Sequence, residues 1–141
     1  MTAELYWLAL TAVVTLFMGF PYVLERIARV GGLAAANYSK DGTAGFDQPS
    51  ETPAEWAARA YRAHRNAVEN LAIVAILVLT AHVAGVNDPK VLLGVQIYFF
   101  ARLAHYVVYV LGVPIIRPII YFTAWGGMAL IAYALLAPTL A

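Results

Sequence analysis

The chain has 141 residues, of which 62% are hydrophobic and only 12% are charged, and its formal net charge is +1. This composition lies outside the range of soluble globular proteins, and the absence of any basic block argues against a nucleic-acid partner. The sequence contains no cysteine, which excludes disulfides and thiolate metal sites, so any thiol chemistry must use a thiol brought by a ligand.

Four apolar segments follow one another along the chain, each close to the roughly 20 residues that cross the hydrocarbon core of a bilayer. We predict helices over about residues 4–30, 53–85, 89–111 and 115–137, with one polar loop at 31–52. The other two connections are short, which makes neighbouring helices antiparallel. The predicted fold is therefore all-α: a single-domain, up-and-down four-helix bundle embedded in the lipid bilayer.

The predicted helices have recognisable end signals. The first ends at Gly31-Gly32, because glycine is favoured just after a helix C-terminus. The starts of the second, third and fourth helices are marked, in this order, by Thr52-Pro53 with Glu55 as a capping box, by Asn87 or Asp88 before Pro89, and by Pro114 or Pro118.

The distribution of basic residues predicts the orientation of the bundle, since cytoplasmic loops are rich in lysine and arginine. The first loop and its flanks contain Arg26, Arg29, Lys40 and Arg59, and the third loop contains Arg117, whereas the opposite side has only Lys90. Loops one and three are therefore expected on the cytoplasmic side, with both termini on the other side. Arg59 by itself is interpreted as an anchor at the lipid headgroups.

Polar side chains recur on three of the predicted helices at spacings of three, four and seven, which place each set on one helical face. The sets are Arg62, Arg65, Asn66 and Glu69 on the second helix, Arg102, His105 and Tyr109 on the third, and Arg117 and Tyr121 on the fourth. Antiparallel packing brings the three sets to a similar depth. The sequence therefore predicts one polar layer near the cytoplasmic end.

Arg102 is the residue of this layer that most needs a partner, because it lies about ten residues from either end of its helix. A charge at that depth costs roughly 2.5 kcal/mol or more unless it is paired or near water. One hypothesis is a structural ion pair between Arg102 and Glu69. Another is an ordinary pair between Arg65 and Glu69, four residues apart on one helix.

Several arginines with one carboxylate suit a small zwitterionic ligand that carries more than one carboxylate. Guanidinium groups hold carboxylates in bidentate fashion, which leaves Glu69 for an ammonium group. No Ser-His-Asp grouping, metal-ligand cluster or glycine-rich phosphate loop is found, so the sequence predicts no hydrolase, metal or nucleotide site. A proton or solute pathway would need polar residues continuing to the far side, where only His82 is available.

The segments "RAHRNAVEN" and "ARLAHYVVYVLGVPIIR" together resemble the MAPEG family, membrane-associated proteins in eicosanoid and glutathione metabolism, and specifically its bacterial-type members. The combined pattern of R-A-H-x-N-x-x-E, R-x-x-H-x-x-x-Y and P-x-x-R is highly specific. The resemblance implies a homotrimer of four-helix subunits in the bacterial inner membrane. It also implies that glutathione binds as a cosubstrate at the subunit interfaces, in a site that faces the cytoplasm.

Matched residue by residue, the family's glutathione contacts correspond to Arg62, Arg65, Asn66, Glu69, His105, Tyr109 and Tyr121. Arg117 matches the arginine that holds the glutathione thiolate, and Arg26 or Arg29 stands in for a basic residue at the end of the first helix. Arg102 is added to the binding set because it belongs to the same polar layer. Pro118 departs from the family pattern, since prostaglandin-E-synthase-like members have a serine at this position.

The resemblance implies a membrane-bound transferase or peroxidase that activates the glutathione thiolate for attack on lipophilic electrophiles or hydroperoxides. Arg117 is the expected catalytic residue, because a nearby guanidinium lowers the pKa of a thiol. The alternative is a trimeric membrane protein that binds lipid headgroups or glutathione without turnover. A thiolate absorbance band on adding glutathione distinguishes the two, since headgroup binding cannot create one.

Overall fold

The computed structural model describes residues 1–30 and 53–137, in which the chain forms only α-helices and turns. The helices are α1 Ala3–Phe17, α2 Phe20–Val30, α3 Glu55–Val83, α4 Pro89–Leu111 and α5 Arg117–Leu136. Within these residues, four segments are long and apolar enough to cross a membrane: Ala3–Arg29, Glu55–Val83, Pro89–Leu111 and Arg117–Leu136. The chain is therefore an all-α, multi-pass integral membrane protein. The polar loop at 31–52 and the predicted cap Thr52 lie outside the described residues.

The helix predicted at residues 4–30 is divided into α1 and α2 at Met18 and Gly19. Pro21 explains the break, because it has no N–H to donate to the carbonyl four residues earlier and its ring crowds that carbonyl. The hydroxyl of Tyr106 on α4 donates to the Met18 carbonyl at 2.9 Å. A Cβ at Gly19 would lie 3.3 Å from His64 Cε1, so glycine lets α1 approach α3 closely.

The helix starts follow the predicted signals only in part. α3 begins at Glu55 rather than Pro53, and the N–H of Ala54 donates to Glu25 Oε1 on α2 at 3.2 Å. For α4 the prediction is confirmed: the carboxylate of Asp88 accepts from the backbone N–H of Lys90 at 2.8 Å, before Pro89. This hydrogen bond and the Lys90 ammonium hold the pKa of the Asp88 carboxyl below its usual value.

The core lies between α3, α4 and α5 and is filled by side chains such as Val74, Tyr98 and Ile131. The closest approach is between α4 and α5, where Gly94 and Gly127 face each other. A Cβ at Gly94 would lie 2.7 Å from the Gly127 carbonyl oxygen, and a Cβ at Gly127 would lie 2.6 Å from that of Gly94. The two backbones therefore touch directly, which leaves no room for a side chain at the crossing.

Arg59, which the sequence predicts as a headgroup anchor, caps the C-terminus of α4. Its Nε donates to the Val110 carbonyl at 3.0 Å, and its Nη1 lies 3.3 Å from Glu55 Oε2. The guanidinium also covers Gly112, whose φ of 82° turns the chain out of the helix. The last turn of α4 is thus tied to the first turns of α3, next to the connection between α4 and α5.

Candidate functional site

A cavity of about 460 Å³ opens at the end of the bundle where α4 joins α5. Antiparallel α3 and α4 bring residues there from the early turns of one and the late turns of the other, and α5 closes the third side. The lining residues are Arg62, Asn66, His105, Tyr109, Arg117, Pro118, Tyr121 and Phe122. Six of these eight belong to the polar layer predicted from the sequence.

Arg102 lies beneath the cavity with only 3% of its surface exposed. Its Nη1 donates to Asn66 Oδ1 at 2.8 Å, and its guanidinium carbon lies 5.2 Å and 5.5 Å from the ring centroids of Tyr98 and Tyr121. Among the described residues, Nε and Nη2 have no hydrogen-bond acceptor. The hypothesis of an Arg102–Glu69 pair is therefore wrong, since an amide oxygen and two aromatic faces surround the guanidinium instead.

His105 lies between two tyrosines at the floor of the cavity and is only 6% exposed. Its ring centroid is 5.4 Å from that of Tyr109 and 6.0 Å from that of Tyr121. Tyr109 is on the next turn of the same helix, whereas Tyr121 is on α5. These aromatic contacts hold the wall of the cavity together across the two helices.

Arg117 is the first residue of α5, and its side chain is turned toward α4. The guanidinium carbon lies 4.5 Å from the ring centroid of Tyr109, a distance that gives a favourable cation–π contact. Its Nε is buried and lacks a hydrogen-bond partner in the part of the chain that the structure describes. The side chain therefore presents a positive charge to the cavity that it lines.

Two predicted contacts, Arg65 and Glu69, lie away from the cavity. They form the predicted i,i+4 ion pair, with Arg65 Nε 3.0 Å from Glu69 Oε1, and their side chains are 66% and 57% exposed. Both lie on the outer face of α3. Arg29 pairs with Glu25 on α2 at 3.1 Å, and neither Arg26 nor Arg29 is among the described residues that line the cavity.

The structure adds residues that the sequence reasoning did not place in the site. Phe122 lines the cavity beside Tyr121, and Pro118 lines it one turn earlier on α5. Asn70 is buried beneath the site and donates from Nδ2 to the Asn66 carbonyl at 2.8 Å. Residues four apart lie on the same face of a helix, so the spacings between Pro118 and Phe122 and between Asn66 and Asn70 could have indicated their positions.

The sequence matches the model of the MAPEG family over residues 5–137, which is nearly the whole chain. The chain belongs to the MAPEG family. A comparison with curated proteins finds no match. In this MAPEG protein the matched segment contains α2 to α5, all of α1 but its first two residues, and every described residue that lines the cavity.

The chemistry available in the MAPEG cavity is anion binding beside an apolar wall. Arg62 and Arg117 are part of the lining, and Arg102 lies beneath it. Phe122 and Pro118 add an apolar surface to the same lining. Within residues 1–30 and 53–137, no group of three or more histidine, aspartate or glutamate side chains is placed to hold a metal ion.

Proposed function

We propose that this MAPEG protein is a membrane-bound, glutathione-dependent transferase or peroxidase that acts on lipophilic electrophiles or hydroperoxides. The cavity is the observation that best supports this function. Its volume of about 460 Å³ suits a small molecule, and it combines guanidinium groups with an apolar wall. The guanidinium groups suit the carboxylates of glutathione, and the apolar wall suits a lipophilic acceptor.

The donor set fits glutathione, which has two carboxylates, one ammonium group and one thiol. Arg62 in the cavity lining is suited to one carboxylate, whereas Arg65 and Glu69, which lie away from this cavity, would serve the other carboxylate and the ammonium only from a neighbouring subunit. Arg117 in the lining and the buried Arg102 beneath it add positive charge, which also favours an anionic ligand.

Arg117 is proposed to hold the sulfur as a thiolate. A free thiol has a pKa of about 8.5, and an adjacent cation lowers this value, so more nucleophile is present near neutral pH. Tyr109 orients the guanidinium through the contact at 4.5 Å without neutralising its charge. The bound thiolate would supply the nucleophile that displaces a leaving group from carbon or attacks the O–O bond of a hydroperoxide.

A homotrimer is proposed because one subunit leaves charge on a face that would otherwise meet lipid. The exposed Arg65–Glu69 pair lies ten and fourteen residues into α3, beside the exposed side chains of Val68, Ile73 and Ile76. A lone charge facing hydrocarbon costs roughly 2.5–3.5 kcal/mol, and the mutual pairing of Arg65 and Glu69 offsets only part of that cost. Packing this face against other copies removes the cost and brings Arg65 and Glu69 to a neighbour's cavity. Native mass spectrometry in mild detergent tests this assembly, and the detection of monomers alone would contradict it.

Replacement of Arg117 by lysine tests the proposed chemistry. Lysine keeps the charge but replaces the planar, pre-organised fork with a flexible, strongly hydrated ammonium group. We expect Arg117→Lys to keep expression and most of the glutathione affinity, while the apparent pKa of the bound thiol rises and turnover falls. The measurement is a pH titration of the ultraviolet thiolate absorbance, together with turnover of a panel of electrophiles and hydroperoxides.

Arg59→Lys is the matched control for this experiment. It makes the same chemical change in a guanidinium that caps α4 and does not line the cavity. We expect the control to lower stability but to leave the thiol titration unchanged. If Arg117→Lys has the same thiolate titration curve and the same turnover as the unmodified protein, Arg117 takes no part in the chemistry. Glutathione binding without a thiolate band or product favours the non-enzymatic alternative.

A further inference from the structure

The break in the first span frees backbone carbonyls from their usual helical partners. In a continuous helix the amide of Gly19 would donate to Thr15, but here it donates to the Leu16 carbonyl at 3.2 Å. Pro21 has no N–H to donate at all. Inside a membrane, carbonyls freed in this way must find donors elsewhere in the protein. We call the backbone of residues 15–21 the joint.

Two side chains from other helices bind the joint. Tyr106 on α4 donates to the Met18 carbonyl at 2.9 Å. His64 on α3 interacts with the Thr15 carbonyl, and its Nδ1 lies 2.8 Å from the hydroxyl oxygen of Tyr22 on α2. A neutral imidazole has one donor and one acceptor nitrogen, so Nε2–H can donate to Thr15 while Nδ1 accepts from the Tyr22 hydroxyl. His64 therefore connects α3 to both sides of the break.

His64 lies on the side of α3 opposite to the residues that enter the cavity. It is two residues from Arg62 and two from Asn66, both of which line the cavity. Two residues along an α-helix correspond to a turn of about 160° around the axis. A contact that holds the His64 side of α3 therefore also sets the direction of Arg62 and Asn66.

The apolar packing of this part of α3 gives little resistance to rotation. Its buried residues before Asn70 are all alanines, and each is at most 4% exposed: Ala57, Ala60, Ala63 and Ala67. Methyl groups provide contact without a preferred direction, whereas a hydrogen bond has a defined angle. Arg59 does bond to α4, but through a long and flexible side chain. The short, rigid imidazole of His64 is better suited to fix the rotation.

We propose that His64 is a positioning residue, which holds α3 against the joint at the rotation that turns Arg62 and Asn66 into the cavity. His64 is not among the described residues that line the cavity, so it acts through the helix. Its contacts with Thr15 and Tyr22 are made within one subunit. The effect of this rotation on glutathione binding rests on the proposed function, whereas the rotation itself does not.

A double-mutant cycle on stability tests the rotation without any ligand. Asn66 accepts from Arg102 only while α3 keeps its rotation. We expect Asn66→Leu to lower the ratio of folded to unfolded protein roughly tenfold, but only about twofold or less when His64→Leu is already present. The two side chains point to opposite sides of α3, so direct contact cannot couple them. Unfolding in mixed micelles of mild detergent and sodium dodecyl sulfate measures each ratio.

Tyr22→Phe provides a milder second variant, because it removes the hydroxyl bound to Nδ1 and keeps the ring. It should couple to Asn66→Leu with the same sign as His64→Leu does. His82→Leu is the matched control, since it makes the same change near the other end of α3, and it should be additive with Asn66→Leu. If Asn66→Leu is also additive with both His64→Leu and Tyr22→Phe, the inference is overturned.

Glutathione binding tests the consequence for the cavity. Titration calorimetry gives both the Kd and the number of sites per subunit. We expect His64→Leu to raise the Kd roughly tenfold at an unchanged number of sites, because Arg62 and Asn66 no longer converge on the ligand. A residue that only stabilises the fold would lower the number of sites and leave the Kd unchanged. His82→Leu should change neither quantity.

The two experiments separate the inference from the proposed function. An unchanged Kd in His64→Leu overturns the positioning role, whether or not the number of sites falls. If the unmodified protein binds no glutathione, the proposed function is contradicted. The double-mutant cycle then still decides whether His64 sets the rotation of α3.

Discussion

Replacing Gly127 by alanine should force α4 and α5 apart at their closest approach. The new Cβ would lie 2.6 Å from the Gly94 carbonyl oxygen and 3.0 Å from the Tyr98 amide nitrogen, and ordinary contacts begin at 3.4 Å. Both neighbouring atoms belong to the α4 backbone, so no side-chain rotation can relieve the overlap. The helices must separate locally by roughly 0.8 Å, a change of the kind that costs about 1–3 kcal/mol in well-packed interiors.

Gly126→Ala provides a control on the adjacent residue of the same helix. No atom lies within 4 Å of a Cβ at Gly126. Both substitutions gain roughly 1 kcal/mol from the better helix propensity of alanine, and this gain cancels when the two variants are compared. The difference in unfolding free energy between them should therefore be about 1–3 kcal/mol, with Gly127→Ala the less stable.

Unfolding in mixed micelles of mild detergent and sodium dodecyl sulfate, followed by far-ultraviolet circular dichroism, measures this difference. Gly94→Ala should be destabilised in the same sense, because its Cβ would lie 2.7 Å from the Gly127 carbonyl oxygen. If Gly127→Ala is as stable as Gly126→Ala, the two backbones are not in direct contact at the crossing. A loss of glutathione affinity in Gly127→Ala alone would show that this crossing also sets the width of the cavity.

Two further predictions concern the polar residues of α3. Asn66→Leu removes the acceptor of Arg102 Nη1, so it should cost about 1–3 kcal/mol of unfolding free energy. Adding Arg102→Met should recover part of that loss, and strictly additive effects in the double-mutant cycle would contradict the pairing. Glu69→Gln should change stability by about 0.5 kcal/mol or less, since its ion pair with Arg65 is exposed. It should weaken glutathione binding roughly tenfold by calorimetry if Glu69 holds the ammonium, and unchanged affinity argues for a purely structural pair.

Hydropathy and local signals predicted the course of the chain well. Four long apolar segments can lead only to four membrane-spanning helices, because a backbone in hydrocarbon must satisfy its hydrogen bonds internally. The start of α4 at Asp88 and Pro89 was also predictable, because a helix cap depends on only a few consecutive residues. The break at Met18 and Gly19 was missed, although Pro21 was a local signal for it.

The candidate site was predicted as a set of residues but not as a set of contacts. Spacings of three, four and seven identified the polar faces, and six of those residues do line one cavity. The pairing of Arg102 with Asn66 rather than Glu69 was not predictable, because both lie on nearly the same face of α3. Which of them points inward depends on how far α3 is rotated about its own axis.

That rotation is a property of the packed bundle. Periodicity within a helix relates its residues to one another, whereas the angle and depth at which two helices meet come from contacts between distant parts of the chain. The carbonyls of Gly94 and Gly127 set how closely α4 and α5 approach. The ring of Tyr109 holds Arg117 against α4, and the connection between α4 and α5 contains no charged residue of its own. Charge, length and hydrophobicity were thus readable along the sequence, but the direction in which each charge points was decided only where the helices touch.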